Sequence, residues 1–445
     1  MVKSSPVNKS FRFCTSCERS YKGQAQAYGS HVSFWRRSLT KFQMAKDPWL
    51  RYPAIVNVRH GILTKVFVLA CFVLQSAYAG DALEQWQLVA TTGHSLRGLA
   101  YKDGTFVGVG FSTNTVVSTD GTNWFQGTNG LVGIFNGLYA VTAGAGQFVA
   151  VGPNSVVLNS PDGLAWTRRD IYTNEEYWAV IYAGGQFVSV GFNSYGVVEE
   201  PTVALTSSDG INWQRYTVPL NTTARNVAYG NGLYVASGWP HSMYSTNGRD
   251  WTPLYGVGAS AVAFGNGRFV MAGSSAGYVS TNGVNWTGVS LPDEEYYTAI
   301  YANGLFMFGN GDMPYALLAI STDGTSWTPR SFAAANTYFA IRDIIFVDGH
   351  FYLADQSVGR IWRSGRVAPA EAPALFRVGH NANITSLSFT TVPGFRYALE
   401  YAEDLNPTPT LWKASGISAF AESDAISVRD TSATNAMRIY RVRTE

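Results

Sequence analysis

Cysteine and charged residues are both scarce in this sequence. The 445 residues include three cysteines, Cys14, Cys17 and Cys71, and charged residues make up 14% of the chain. Residues 80–445 contain no cysteine, so this part has no disulfide and no thiolate metal ligand, and its packed core must hold it together. Cys14 and Cys17 have the spacing of a metal or redox pair, but a second pair of ligands is missing. We therefore predict no metal site and no cofactor.

Positive charge is scarce outside the N-terminal segment. Residues 1–79 hold 12 of the 32 basic residues but two of the 30 acidic ones, Glu18 and Asp47. This leaves 20 basic and 28 acidic residues in 80–445, a net charge of −8. A surface of this sign repels the phosphate backbone, so nucleic acid is excluded as a partner.

Long apolar runs are also lacking. The run Val66–Leu74 follows Lys65 and is too short to cross a bilayer comfortably. It precedes Ala77-Tyr78-Ala79, whose small residues suit a signal peptidase. We predict a signal peptide region over residues 44–79, cleavage between Ala79 and Gly80, and a secreted, periplasmic or cell-surface protein without stable membrane insertion. An uncleaved anchor or a lipoprotein is the alternative.

The segment before this signal is unusual. Residues 1–43 are basic, lack periodicity and are too long for the first part of a signal peptide, and Met44 is a better start. We expect residues 1–43 to be an unstructured extension or part of an over-called gene start.

Glycine and aromatic residues are abundant, and they recur at a regular interval. An element that reads aromatic-x-x-Gly-x-aromatic begins at Tyr101 and occurs seven times, at intervals of 35 to 47 residues, with Ala143 in place of the first aromatic residue in the second copy. Its glycines are Gly104, Gly146, Gly185, Gly232, Gly267, Gly304 and Gly349. A repeat of this length is typical of solenoids and propellers.

A second element, Ser-x-Asp/Asn-Gly-x-x-Trp, follows six of the seven copies. Its acidic or amide positions are Asp120, Asp162, Asp209, Asn247, Asn282 and Asp323. Asp-Gly and Asn-Gly favour a two-residue turn with positive φ, and the side chain can accept a backbone N–H there. The Trp is expected to open the next strand and to bury its ring between sheets. Each unit is therefore a four-stranded sheet, with this turn between its third and fourth strands.

The second element resembles the Asp box, or bacterial neuraminidase repeat, without the residue between Asp and Gly. Over residues 86–364 the chain is similar to propellers of the sialidase-like and photosystem II assembly factor-like kinds. The resemblance implies an all-β, seven-bladed β-propeller over residues 80–364. The last unit lacks the second element, and we predict that Trp86 supplies its fourth strand and closes the ring.

The repeat stops at residue 364, where a linker over residues 365–373 is predicted. Residues 374–445 are predicted to form a small β-sandwich, because several of their segments alternate like strands. These segments are Ile384–Phe389, Phe395–Tyr401, Leu411–Trp412, Ile426–Val428 and Arg438–Val442. This part resembles C-terminal modules of exported proteins, which implies attachment or spacing; simple packing on the propeller is the alternative.

The acidic positions of the second element have a structural role in this interpretation. Asn247 and Asn282 suit a turn but cannot act as carboxylates. Their turns also lie on the face opposite the one where propellers usually bind ligands. We therefore assign none of the six positions to catalysis.

The candidate binding residues lie just before the first strand of each unit. Alignment of the repeats places Arg97, Tyr139, Trp178, Arg225, Ser260, Tyr297 and Arg342 there. The next positions are mostly small, which suits sheets that converge on an axis. Two acidic pairs stand close by, Glu175-Glu176 and Glu294-Glu295. We predict a channel mouth whose aromatic rings and guanidinium groups bind a protein or carbohydrate ligand, with Glu176 and Glu295 beside them. Mutual pairing of Arg and Glu, which would plug the channel, is the alternative.

Three functions remain open from the sequence. The first is an exported, non-catalytic ligand-binding or protein-interaction scaffold, because the histidines of residues 80–445 are scattered and no phosphate loop is present. The second is a sialidase-like glycoside hydrolase, in which Arg97, Arg225 and Arg342 would grip a carboxylate, although the Phe-Arg-Ile-Pro motif is missing. The third, by analogy of fold, is an assembly factor for an envelope or membrane protein complex.

Overall fold

The computed structural model describes most of the chain after residue 81. Its ranges are 56–58, 82–111, 115–127, 137–170, 175–193, 202–273, 276–293, 295–310, 317–331, 340–370, 375–381, 384–402, 413–422, 425–430 and 438–444. Regular structure in these ranges is β-strand, apart from one 3₁₀ turn at Ala82–Glu84, so the all-β class is confirmed. No helix within them is long and apolar enough to span a membrane. The predicted extension 1–43 and the cleavage point between Ala79 and Gly80 lie outside the described residues.

Two strands precede the first blade. They are β1 (Val56–Val58) and β2 (Trp86–Thr91). β1 falls in the region predicted to be a signal peptide, and it pairs with the last strand of the chain, Arg438–Thr444. β2 belongs to the propeller.

Seven four-stranded antiparallel sheets form a seven-bladed β-propeller, as predicted. Blade 1 contains β3 (Leu96–Lys102), β4 (Thr105–Gly110), β5 (Val116–Ser118) and β6 (Phe125–Gln126). Blade 2 contains β7 (Ala140–Gly144), β8 (Gln147–Val151), β9 (Val156–Ser160) and β10 (Thr167–Asp170). Blade 3 contains β11 (Glu175–Ala183), β12 (Gln186–Asn193), β13 (Thr202–Ser207) and β14 (Gln214–Val218).

The remaining blades follow the same order of strands. Blade 4 contains β15 (Thr223–Gly230), β16 (Leu233–Trp239), β17 (Ser242–Ser245) and β18 (Thr252–Leu254). Blade 5 contains β19 (Ala261–Gly265), β20 (Arg268–Ala272), β21 (Gly277–Ser280) and β22 (Thr287–Val289). Blade 6 contains β23 (Tyr296–Ala302), β24 (Leu305–Asn310), β25 (Leu317–Ser321) and β26 (Thr328–Ser331). Blade 7 contains β27 (Ile341–Val347), β28 (His350–Asp355), β29 (Arg360–Ser364) and the earlier strand β2.

The N-terminal strand closes the ring, as predicted. β2 pairs antiparallel with β29, and Trp86 stands opposite Ser364. The first strand of each blade contacts the first strand of the next, and β27 of blade 7 contacts β3 of blade 1. Closure of this kind pairs a sheet edge that an open array would expose.

The two recurring turns differ in conformation from the prediction. The two-residue turn with positive φ at both positions joins the first and second strands, as at Asp103 (φ 50°) and Gly104 (φ 85°). The Ser-x-Asp/Asn-Gly loops between the third and fourth strands have positive φ at the glycine alone, for example Gly121 (φ 70°). A two-residue turn was therefore wrong for these loops, because residues 119–124 separate β5 from β6.

Hydrogen bonds within these loops explain why either Asp or Asn can occupy the same position. The Oδ1 atom of Asp120 accepts the backbone N–H groups of Thr122 (2.8 Å) and Asn123 (2.7 Å). Asn247 accepts two backbone N–H groups in the same way. The bonds from Asn123 and Thr122 lower the pKa of Asp120. One oxygen acceptor is what the loop requires, and a charge is not essential.

Each pair of neighbouring blades shares a hydrophobic core. Between blades 2 and 3, for example, Val149 and Val157 pack with Phe187 and Leu205, all of them buried. Each fully buried aliphatic or aromatic side chain contributes about 1.5–3 kcal/mol. Because every core has two blades as walls, no blade can bury its apolar face alone.

The C-terminal part contains two sheets. Their strands are β30 (Leu375–Asn381), β31 (Ile384–Thr390), β32 (Arg396–Ala402), β33 (Lys413–Phe420), β34 (Ala425–Asp430) and β35 (Arg438–Thr444). β30, β31 and β34 form one sheet, and β32, β33 and β35 form the other with β1. Phe389 of the first sheet and Tyr397 and Tyr440 of the second share one core. The predicted strand Leu411–Trp412 lies outside the described residues, and β30 and β33 were not predicted.

The C-terminal part packs against the propeller at the end opposite the channel mouth. The rings of Phe395 and Phe346 lie 5.3 Å apart, and those of Phe420 and Tyr101 lie 5.2 Å apart. Within the predicted linker, Ala370 N–H donates to Asn303 Oδ1 (2.6 Å). These contacts fix the C-terminal part on the propeller.

Candidate functional site

The inner strands surround a cavity of about 400 Å³, which extends from the end where these strands begin to residues near their other end, such as Ala183 and Tyr301. All seven predicted mouth positions line it: Arg97, Tyr139, Trp178, Arg225, Ser260, Tyr297 and Arg342. Each blade contributes one of these side chains. The structure therefore brings together residues that are up to 245 positions apart in sequence.

Five of these residues lie inside the inner strand rather than before it, which corrects the prediction. In β11, for example, the register slips between Tyr177 and Ala179, so Trp178 is left without a partner in the ladder. The other four, Arg97, Arg225, Tyr297 and Arg342, stand at equivalent register shifts. A β-bulge inserts one extra residue and re-aims its side chain, here into the cavity. Sequence alignment cannot reveal a bulge that adds a residue to every such strand.

Arg97 lies among three aromatic rings. Its guanidinium carbon is 4.1 Å from the ring centroid of Phe111, 4.8 Å from that of Tyr139 and 5.4 Å from that of Trp178. The Tyr139 and Trp178 rings are themselves 4.6 Å apart. Cation–π contacts of this type hold a guanidinium group in place without neutralising its charge.

Trp178 is the centre of this cluster. Phe192 stacks on it at 6.1 Å with an interplanar angle of 16°, and the guanidinium carbon of Arg225 lies 5.4 Å from its ring. Phe111 and Phe192 were not predicted as site residues. Both follow a glycine at the end of the second strand, Gly110 and Gly191. Trp239 occupies the same repeat position after a glycine in blade 4, so this recurrence is the signal that could have identified all three.

The two remaining arginines have different surroundings. The guanidinium carbon of Arg342 lies 4.0 Å from the ring centroid of Tyr297, and its Nε donates to Gln356. Nε of Arg225 is buried and, among the residues that the structure describes, has no hydrogen-bond acceptor. Arg225 forms no ion pair with a described glutamate either. Among the residues that the structure describes, the mutual Arg–Glu pairing considered from the sequence therefore does not occur at Arg225.

The predicted acidic pairs are not equivalent. Glu176 accepts a hydrogen bond from Trp178 Nε1 (3.2 Å), and Glu295 is exposed beside the mouth. Glu175 is buried, and its carboxylate binds the Arg215 guanidinium (2.6 Å) and the Tyr177 hydroxyl. Glu175 is therefore a structural ion pair. Glu294 lies outside the described residues.

One carboxyl group lies within the cavity wall where a small residue is common. Asp343, next to Arg342, accepts backbone N–H bonds from Leu99 of blade 1 (2.7 Å) and from Ile344 (2.8 Å). Burial raises the pKa of Asp343 to about 7, although these two bonds oppose the shift. Asp343 thus links the last blade to the first. Burial likewise raises the pKa of Tyr139, with a smaller contribution from Glu176.

Two chemical possibilities gain no support from the described residues. Within the described ranges, no three His, Cys, Asp or Glu side chains stand close enough to hold a metal ion. Residues Gly273–Gly277 match Gly-x-Ser-x-Gly by letter. In sequence they lie between two antiparallel strands, β20 and β21, whereas a nucleophile elbow joins a strand to a helix; Ser274 and Ser275 themselves lie outside the described residues.

Comparison with known proteins shows the fold and nothing finer. No protein-family model matches the chain, and no curated protein matches it in sequence. Among solved structures, YCF48 bound to D1 peptide is 17% identical, with a TM-score of 0.50 over 64% of this chain and 97% of that one. YCF48 from Cyanidioschyzon merolae is 15% identical, with a TM-score of 0.48 over 63% and 98%. The WD40 propeller of Doa1 is 11% identical, with a TM-score of 0.51 over 66% and 100%.

The two structures with TM-scores of 0.50 and 0.51 agree with the propeller fold of this chain. The Doa1 domain is a WD40 propeller. At these identities the likeness does not extend to a site.

Proposed function

We propose that this protein is an exported, non-catalytic scaffold that holds a segment of a partner protein at the channel mouth. One observation carries the proposal: guanidinium groups and aromatic rings from different blades converge in a single cavity. Arginine forms paired hydrogen bonds to carboxylates, and Trp, Tyr and Arg dominate the binding energy of protein interfaces. The cavity therefore has the composition of an interaction site.

The dimensions of the cavity favour a side chain or a chain end over a folded domain. Its volume of about 400 Å³ lies at the lower end of the range typical of ligand pockets. Arg225 has a buried Nε without an acceptor among the described residues, so a carboxylate from the ligand would satisfy it. A protein segment with an acidic side chain or a C-terminal carboxylate meets both conditions.

The side chains that surround the Trp178 ring favour a protein ligand over a carbohydrate. Sugar binding generally needs an open aromatic face, but Trp178 contacts Tyr139, Phe192 and the guanidinium groups of Arg97 and Arg225. These neighbours crowd the Trp178 ring inside the cavity and leave less of its surface for a sugar ring. The peptide carried by YCF48 in one similar structure supports the same choice.

The two other functions have unequal support. An assembly factor for an envelope complex would use the same mouth to hold its client, so it is a special case of the scaffold. A glycoside hydrolase would need two carboxyl groups near the cleaved bond. Glu175, one member of the nearby acidic pair, is held by Arg215 and Tyr177, so we do not propose this activity.

A peptide array tests the scaffold directly. The full chain is applied to arrayed peptides, alongside Arg225→Gln and the matched control Asp209→Asn, which changes an exposed loop on the opposite face. We expect the wild type and the control to retain the same peptides, and Arg225→Gln to lose about tenfold or more of the signal. Absence of any retained peptide, or identical retention by Arg225→Gln, would contradict the proposal.

A further inference from the structure

A side pocket of about 180 Å³ opens beside the cavity. It shares three residues with the cavity, namely Arg225, Ser260 and Tyr297. Its other walls are Trp239, Ala259, Glu295 and Tyr296. Because the two spaces have a common wall, a ligand held in the cavity can place a neighbouring group in the side pocket.

Trp239 gives the side pocket an open aromatic surface. The residue ends strand β16 opposite Thr223 and is 61% exposed. It packs over Gly258, where an added Cβ would come within 2.8 Å of the indole ring. The backbone at Gly258 therefore supports the ring from one side while much of its surface remains accessible. An exposed ring at a pocket rim is a common feature of binding sites.

Opposite charges line the side pocket without neutralising each other. Glu295 is exposed and, within the described part of the chain, its carboxylate forms no ion pair or hydrogen bond. Arg225, which lines the same pocket, likewise forms none. The Glu295 carboxylate, the Trp239 indole ring and the Arg225 guanidinium group thus line one pocket.

This arrangement selects one class of occupant. A carboxylate next to an aromatic face attracts a cation, both by charge and by the quadrupole of the ring. An apolar occupant would remove water from Glu295 without replacing its hydrogen bonds. An anionic occupant near Trp239 would be repelled by the carboxylate of Glu295.

We propose that the side pocket binds a lysine or arginine side chain of the ligand between Trp239 and Glu295, while a carboxylate from an adjacent ligand residue pairs with Arg225. This inference rests on the proposed capture of a protein segment at the mouth. It specifies what is recognised there: an acidic residue and a basic residue next to each other in the partner.

Two dipeptides test binding in the side pocket separately from binding in the cavity. Acetyl-Asp-Lys-amide carries both charges, and acetyl-Asp-norleucine-amide keeps the length of the stem but lacks the cation. Their affinities for the full chain are measured by ligand-observed NMR titration. We expect a preference of roughly fivefold for the lysine peptide, the effect of one cation–π contact with a nearby carboxylate.

Substitutions in the side pocket test whether Trp239 and Glu295 cause the preference for the lysine peptide. Trp239→Ala and Glu295→Gln should each bring the affinity for the lysine peptide down to that for the norleucine peptide, whose own affinity stays unchanged. Glu295→Lys should reverse the preference in favour of acetyl-Asp-Glu-amide. Phe125→Ala removes another exposed aromatic side chain, 50% accessible on the outer strand of blade 1, and should change nothing.

The possible results distinguish this inference from the proposed function. If the wild type binds both dipeptides with equal affinity, the proposed role of the side pocket is wrong. If Arg225→Gln also loses this binding, the proposed mouth site is still supported. A lysine preference that persists in both Trp239→Ala and Glu295→Gln would also overturn the proposed role of the side pocket. If neither dipeptide binds the wild type, the proposed mouth site fails, and the side pocket fails with it.

Discussion

The guanidinium carbon of Arg97 lies 4.8 Å from the ring centroid of Tyr139, yet the two residues belong to neighbouring blades. The same holds for Arg225 and Trp178, which lie 5.4 Å apart in blades 4 and 3. Each contact spans a blade interface, so the mouth depends on how the blades are arranged around the axis. The predictions below test the mouth, the blades and the ring separately.

Loss of Trp178 should disable the mouth. Trp178→Ala removes the ring against which Arg97, Tyr139 and Arg225 are placed, so the guanidinium groups lose their fixed positions. We expect binding of the peptides selected on the array to fall about tenfold or more, with Tyr297→Ala giving a similar loss through Arg342. Fluorescence anisotropy measures both. Trp178→Phe keeps a ring and should retain most of the affinity; full binding by both alanine variants would remove these residues from the site.

Asp343 should make the stability depend on pH. Its folded-state pKa of about 7 lies above the unfolded value of 3.8, so its contribution to stability is complete below pH 4 and is lost as the pH rises towards 7. Asp343→Asn keeps the acceptor for Leu99 N–H and has no charge to desolvate. After allowance for contact with the open channel, we expect this substitution to raise the melting temperature by about 1–3 °C more at pH 8 than at pH 5. If the difference in melting temperature between the variant and the wild type is the same at pH 5 and pH 8, the pKa of Asp343 is not shifted.

The Ser-x-Asp/Asn-Gly loops should tolerate loss of charge but not loss of the serine hydroxyl. Ser207 is buried, and its Oγ accepts the N–H of Gly210 (2.9 Å). Ser207→Ala leaves that donor without an acceptor and should cost about 1–3 kcal/mol in the free energy of unfolding. Asp209→Asn, which copies the residue at Asn247, should cost less than about 1 kcal/mol. Urea denaturation compares the two, and equal losses would argue against the loop geometry.

The closing strand β2 should contribute to the stability of the propeller through Trp86. The Trp86 indole donates to Leu83 O (2.7 Å) and packs in the core between blades 6 and 7. Trp86→Ala should lower the free energy of unfolding by about 2–3 kcal/mol. Leu88 lies on the same strand but is 43% exposed, so Leu88→Ala serves as the matched control with an effect below about 1 kcal/mol. A Trp86→Ala loss no larger than the control would mean that β2 contributes little to closure.

Export remains a prediction from the sequence and has its own test. N-terminal sequencing of protein recovered outside the cytoplasm should begin at Gly80, and Ala79→Arg should block processing and leave a larger species. Cleavage there would also remove β1, so β35 would become an edge of the C-terminal sheet. Recovery of exported protein that still carries residues 44–79 would instead indicate an uncleaved anchor.

Several features of the fold follow from local sequence alone. The glycine turns, the Ser-x-Asp/Asn-Gly loops and the period of about 40 residues recur often enough to define blades, strands and their number. The missing fourth strand in the last unit, together with the early Trp86, is enough to predict closure. These features are local because each turn depends on the φ preferences and hydrogen bonds of a few adjacent residues. Repeat alignment also identifies the seven mouth positions, because equivalent residues occupy equivalent places around an axis.

Tertiary structure decides the surroundings of those mouth residues. The bulges that direct Trp178 and Arg225 into the cavity, the stacking of Phe192, and the capture of Glu175 by Arg215 are not visible in the repeat pattern. The side pocket at Trp239 likewise needs Glu295 from another blade. In each case the partners are far apart in sequence, and their distance is set by how neighbouring sheets twist and pack. Local sequence specifies which side chain stands at each position, whereas packing between blades determines what that side chain touches.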